Sequence, residues 1–159
     1  MGTYTYESLV QPVSGGGVYN AVGYYGPTTT VNGAPIPRWR HKARLTWSPP
    51  YPFTLSAQWR FVDTMRYEGN SANPFLNAFD DTVDAKIPVQ QYLDLSATWR
   101  IKDNLTARMG VNNVLDNNAP IVDSGNLGVS GPAYGNGNTY PGLYDALGRE
   151  FFFGITADF

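Results

Sequence analysis

Apolar and polar residues alternate with a period of two along five segments of the chain, the pattern of strands with two different faces. In the first of these segments, Trp39, Ala43, Leu45 and Trp47 share one face, while the other face is basic or polar. A weaker alternation near the N-terminus adds a sixth strand, and no stretch has a convincing helical period. We therefore predict strands near residues 3–10, 38–48, 53–63, 91–101, 104–114 and 150–159.

The connections between these strands alternate between short and long. Tight turns are predicted at Pro49–Pro52 and Lys102–Asn104, whereas residues 11–37, 66–90 and 116–148 form long connections. Prolines avoid the alternating segments, as expected because proline cannot donate to a central strand ladder. The result is an antiparallel up-and-down meander with long loops on one edge. Loops above about 15 residues are uncommon in compact soluble domains, but outer-membrane barrels combine short turns with long external loops.

Aromatic residues mark both ends of the apolar face. Trp39 lies at the long-loop end of its strand, and Trp47, Trp99 and Phe159 lie at or near the short-turn end. Tryptophan prefers the membrane interface, and two aromatic girdles are typical of transmembrane barrels. We therefore predict that Trp39, Trp47, Trp99 and Phe159 are membrane-interface residues and that the fold is all-β, about six strands of a partial transmembrane β-barrel.

A soluble β-sandwich that binds carbohydrate is the alternative. One-sided soluble sheets also alternate, so the apolar tryptophan face would then be a core and the arginine face would be solvated. Such a chain would stay soluble and monomeric, whereas a barrel wall would partition into detergent.

Composition excludes several other classes. The chain has 159 residues, a net charge of −2, no cysteine and one histidine, His41. It therefore has no overall basic field for nucleic acid, no thiolate chemistry and too few histidines for common zinc sites. No catalytic sequence motif appears in its required context. We predict no enzyme activity, no catalytic residues, no cofactor, no metal and no nucleic-acid partner.

Two groups of residues are candidate ligand contacts. On the polar face, cations recur at every second residue of the first clear segment, about 6.5–7 Å apart; they either attract an anionic cargo or pair with carboxylates such as Asp94 or Asp158. The long loops are rich in aromatic residues. These residues either stack on a ligand or pack against one another within the loops. The candidates are Arg38, Arg40, Lys42, Arg44, Arg60, Arg100, Arg108, Tyr134, Tyr140 and Tyr144.

Several motifs together carry a family resemblance. The aromatic last segment ending in Phe159 resembles the C-terminal strand of outer-membrane proteins. GVNNVLDNNAPIV (Gly110–Val122) and GNTYPGLYDALGREFFFGITADF (Gly137–Phe159) are similar to the end of a TonB-dependent receptor, in which a GxxNxxD-like motif precedes a long external loop. PRWRHKARLTW, the SPPYPF turn and LSAQWR resemble late strands of the same family, so the resemblance is specific over Arg38–Phe159.

The resemblance implies more than the chain itself supplies. Receptors of this family have a closed barrel of about 22 strands, an N-terminal plug and a short energy-coupling box. About six strands without a plug, coupling box or export signal lead us to expect residues 1–159 to be a C-terminal fragment of the barrel domain. Six strands are fewer than the eight or so of the smallest common barrels.

Function and partners follow from the resemblance as expectations. The receptor would take up a scarce nutrient (a siderophore, vitamin or carbohydrate) across the bacterial outer membrane. Expected partners are outer-membrane lipid, the barrel-insertion machinery through the C-terminal strand, and the remainder of the receptor with its plug and earlier strands. The energy-coupling protein would act only through the missing N-terminal part.

Overall fold

A computed structural model describes residues 1–11, 14–26, 35–74, 85–122 and 138–158. Within them the chain is all-β apart from one 3-10 turn, Glu68–Asn70, and no helix there is long and apolar enough to cross a membrane. The strands are β1 (Gly2–Tyr4), β2 (Leu9–Val10), β3 (Tyr19–Asn20), β4 (Tyr24–Tyr25), β5 (Trp39–Trp47), β6 (Phe53–Val62), β7 (Met65–Tyr67), β8 (Lys86–Ile87), β9 (Gln90–Lys102), β10 (Leu105–Asn112) and β11 (Glu150–Ala157).

The main sheet has six strands in the order β1-β5-β6-β9-β10-β11, and every neighbouring pair is antiparallel. The sheet is not closed, because β1 and β11 lie at its two edges. Its register pairs polar residues with polar residues. Thr46 pairs with Ser56, which pairs with Ser96, so one polar row crosses three strands. The predicted meander and partial barrel are confirmed, and the five clear strands lie where the alternation predicts them.

The predicted strand near residues 3–10 is instead two short strands in different sheets. β1 pairs with the start of β5, whereas β2 pairs with β3 in a separate two-stranded ribbon. The chain is redirected at Ser8, whose amide donates to the Asn20 side chain and whose carbonyl accepts from Ala21 N, at 3.1 and 2.8 Å. These hydrogen bonds hold β2 against β3, so the weakly alternating segment around Tyr4 and Tyr6 does not continue as one strand.

The buried core lies at the long-loop end of the sheet. It contains Tyr25, Val62, Met65, Tyr67, Ile87, Val122, Tyr140 and Tyr144, with Ala119 and Leu143 packed against it. A small sheet of order β4-β7-β8 supports this cluster, which we call the cap core, and its β4-β7 pair is parallel. The described parts of the three long connections therefore pack on one another at the long-loop end of the sheet.

The apolar face of the main sheet is uncovered. Leu45 is 75% exposed and Ile155 is 60% exposed, and Trp39 and Leu95 on the same face are also exposed. The alternative β-sandwich requires these side chains to be packed in an interior, and within the described residues no second sheet covers them. An exposed apolar surface of this kind needs a partner.

Candidate functional site

An aromatic cluster lies at the long-loop end of the apolar face. The His41 ring stacks on Phe61 with centroids 5.1 Å apart and meets the edge of Trp59 at 4.6 Å. Trp39 Nε1 donates to His41 Nδ1 at 2.8 Å, which satisfies the polar edge of the indole. His41 points to the apolar face, as the alternation predicts, because it is two residues from Trp39 on the same strand.

A second aromatic cluster lies at the short-turn end of the same face. Trp47 meets Phe53 edge-on at 5.8 Å, and Tyr51 stacks on Phe53 at 6.1 Å. Phe53 is also the cross-strand partner of Trp99. Eight residues separate Trp39 from Trp47, or about 27 Å along a strand, close to the roughly 25 Å apolar band of a transmembrane barrel. Phe159, the fourth predicted interface residue, lies outside the described residues.

The polar face carries a chain of hydrogen bonds across three strands. Arg44 donates to Gln58 Oε1 at 2.7 Å, and Gln58 Nε2 donates to Asp94 Oδ2 at 3.1 Å. Asp94 Oδ1 also accepts from Arg60 Nη2 at 2.8 Å. The strand register produces this series of hydrogen bonds, because Arg44, Gln58 and Asp94 are consecutive cross-strand partners. Of the predicted carboxylate pairings, Asp94 is used, but by Arg60 rather than by the cations of β5.

Arg60 joins this chain to the segment before β11. The same Nη2 donates to Asp145 Oδ2 at 2.9 Å, and its guanidinium lies 4.8 Å above the Tyr92 ring. The Tyr92 hydroxyl in turn accepts from Asp145 N at 3.3 Å. We call residues 140–147 the strap, because these contacts hold them against the polar face.

An asparagine turn links the end of β10 to the same network. Asn113 is fully buried with φ of +52°, and its amide donates to Asp94 Oδ1 at 3.0 Å. Its side chain donates to Asn117 O at 2.9 Å and accepts from Asn117 N at 3.1 Å. Asparagine tolerates positive φ better than most residues. The GVNNVLDNN motif that carries the family resemblance therefore closes a turn and fixes Asp94.

The seven candidate cations differ in what holds them. Arg60 is paired with two carboxylates and Arg44 with Gln58. The remaining five form no ion pair among the described residues; these are Arg38, Arg40, Lys42, Arg100 and Arg108. Arg40 and Lys42 border a cleft beneath the strap, and Arg108 borders a second one beside Asn112. The structure brings Arg40, Lys42 and Arg60 together and leaves Arg100 near the turn end.

The candidate tyrosines lie inside the cap rather than on its surface. Tyr140 is fully buried and Tyr144 is 3% exposed, both within the cap core. Burial raises the pKa of the Tyr144 hydroxyl well above its usual range, so it stays protonated. Their contact with a ligand remains a prediction, and Tyr134 lies outside the described residues. Sequence reasoning missed Asp145, Tyr92 and Asn113, although the two adjacent asparagines were a visible turn signal.

No group of acidic or histidine side chains suited to a metal ion occurs within the described ranges.

An open antiparallel meander with an exposed apolar face, two aromatic clusters and a hydrogen-bonded polar face is the wall of a transmembrane β-barrel. The model of the family TonB dependent receptor-like, beta-barrel matches residues 1–114, and the chain belongs to that family. No curated protein and no solved structure matches the chain.

The family match and the specific part of the sequence resemblance overlap over residues 38–114, and each extends beyond the other at one end. The match includes residues 1–37, which contribute β1 to β4, and ends at residue 114, before the strap and β11. Members of this family are receptors and transporters of the bacterial outer membrane, not enzymes. The C-terminal signature from Gly137 onward rests on the sequence alone.

Proposed function

We propose that this chain is the C-terminal segment of the barrel wall of an outer-membrane receptor that takes up a scarce nutrient. The observation that supports this proposal is the uncovered apolar face between two aromatic clusters, because such a face is stable against lipid and unfavourable in water. The nutrient would be a siderophore, vitamin or carbohydrate, captured by the long-loop cap and the polar face.

The open edges support a larger assembly. β1 and β11 each have one neighbour in the sheet, and unpaired backbone groups cost several kcal/mol each in hydrocarbon. Further strands from the remainder of the receptor would satisfy these edges, and its plug would fill the lumen against the polar face. The energy-coupling protein would act through that remainder, and the barrel-insertion machinery would read the last strand through Phe159.

Flotation with lipid vesicles tests the proposal. Leu45→Arg places a charge on the exposed apolar face and should weaken vesicle association by roughly 2 kcal/mol, or about thirtyfold. Thr46→Arg is the matched control, because Thr46 is next to Leu45 on the same strand but faces the polar side, where it pairs with Ser56. Equal flotation of both variants, or a wild-type chain that stays in the aqueous phase as a monomer, would overturn the proposal.

A further inference from the structure

A cleft of about 440 Å³ lies between the polar face and the strap. Arg40, Lys42 and Arg60 border it from the sheet, and Pro141–Tyr144 border it from the strap. No carboxylate side chain borders this cleft within the described residues. The cleft therefore gathers positive charge under a partial roof, where charge interactions are stronger than in open water.

The strand register forces two of these cations together. Lys42 is the direct cross-strand partner of Arg60, and like charges directly opposite each other are destabilising. Arg40 is two residues from Lys42 on the same face, about 7 Å along the strand. An adjoining cleft, which Lys42 and Arg60 also border, contains Asp94, Asp145 and Glu150. Asp94 and Asp145 are both bonded to Arg60 Nη2, and none of the three forms an ion pair with Arg40 or Lys42 among the described residues.

Arg60 retains a donor for a further acceptor. Both of its ion pairs use Nη2, and Nη1 has no protein partner among the described residues. The side chain is 24% exposed and borders the cleft, so the guanidinium is partly accessible from it while Nη2 is occupied. A guanidinium held in place by two carboxylates and the Tyr92 ring is a preorganised donor, and its second nitrogen is positioned at low entropic cost.

We propose that this cleft binds a compact polyanion, a ligand with at least two negatively charged phosphate or carboxylate groups. Lys42 and Arg40 supply two cations from one strand, and Arg60 Nη1 supplies a fixed hydrogen-bond donor beside them. Phosphate and carboxylate oxygens share the acceptor geometry that guanidinium and ammonium groups recognise. The site rests on the proposed function in one respect, since it would select the class of cargo that the receptor admits.

Calorimetric titration of the full 159-residue chain, folded in detergent, tests the site. Inorganic pyrophosphate and tricarballylate are the probes, and acetate is the monoanion control. We expect one or both probes to bind, acetate to bind at least tenfold more weakly, and affinity to fall with salt. Binding of one probe alone would support the site and identify the source of the charge as phosphate or carboxylate.

Substitutions then assign the binding to the cleft. Arg40→Gln with Lys42→Gln should weaken probe binding at least tenfold, whereas Lys102→Gln at the far turn should leave it unchanged. Unaltered binding in the double variant would overturn the proposal. Absence of probe binding by a wild-type chain that floats with vesicles would also overturn it, and would leave the proposed barrel-wall function intact.

Discussion

Arg60 and Asp145 are 85 residues apart in sequence, yet Arg60 Nη2 lies 2.9 Å from Asp145 Oδ2. The same nitrogen bonds Asp94 at 2.8 Å, so one guanidinium connects the wall of the sheet to the strap. All three side chains are mostly buried, which limits screening by solvent. This relationship predicts that the strap depends on a residue of β6.

Arg60→Gln should release the strap. Removing one partner leaves two partly buried carboxylates without their shared cation, and we expect a loss of about 1–2 kcal/mol in the free energy of unfolding. Hydrogen exchange at the Tyr144 and Asp145 amides should accelerate. Arg149→Gln is the control, because its pair with Asp116 is exposed with a 3.9 Å separation and should contribute under about 1 kcal/mol. Unchanged exchange in Arg60→Gln would contradict the dependence of the strap on Arg60.

Asn113 should be sensitive to substitution for two separable reasons. Asn113→Ala removes both side-chain bonds to Asn117 and places alanine at positive φ, so we expect a loss of about 2–4 kcal/mol in unfolding free energy. Asn113→Gly removes the same bonds without the backbone strain and should lose about 1 kcal/mol less. Urea titration of both variants measures the difference, and equal stabilities would show that the positive φ carries no cost.

Two glycines on the polar face give a matched pair. A Cβ at Gly110 would collide with the Phe152 ring and the Leu95 carbonyl oxygen, whereas a Cβ at Gly154 meets no atom of the described residues within 4 Å. Gly110→Ala should therefore destabilise the sheet by about 1–3 kcal/mol, because the backbone oxygen cannot move aside as a side chain would. Gly154→Ala should be neutral or slightly stabilising. Equal effects on the urea midpoint would contradict this difference in packing.

The sheet was predictable because its signal is local. Alternation over nine or ten residues fixes which side chains share a face, so Trp39, Leu45 and Trp47 lie where the sequence places them. The cap core was not predictable in the same way. β4 and β8 are two residues long and too short to show a period, and β4 pairs in parallel with β7 across a long sequence separation.

Part of the geometry of the candidate site was predictable from the same local signal. Strand alternation places Arg40, Lys42 and Arg60 on one face, and the hairpin register brings Lys42 opposite Arg60. Nothing local indicates that Asp145 returns to Arg60, because the intervening long connection has no periodic pattern. Loop composition predicts the tyrosines as ligand contacts, and that stays a prediction. The burial of Tyr140 and Tyr144 in the cap core has no local pattern that predicts it.

The tryptophans should report their depth in a bilayer. Trp59 pairs with Ala43, midway along β5 between Trp39 and Trp47, so it should lie deepest. In chains that retain one tryptophan and carry phenylalanine at the others, lipids brominated near the chain ends should quench Trp59 most strongly. Lipids brominated near the headgroups should quench Trp39 and Trp47 most strongly, because indoles with a polar edge favour the interface. Quenching of Trp59 by aqueous acrylamide, with no effect of either lipid, would show that the apolar face meets water instead of lipid.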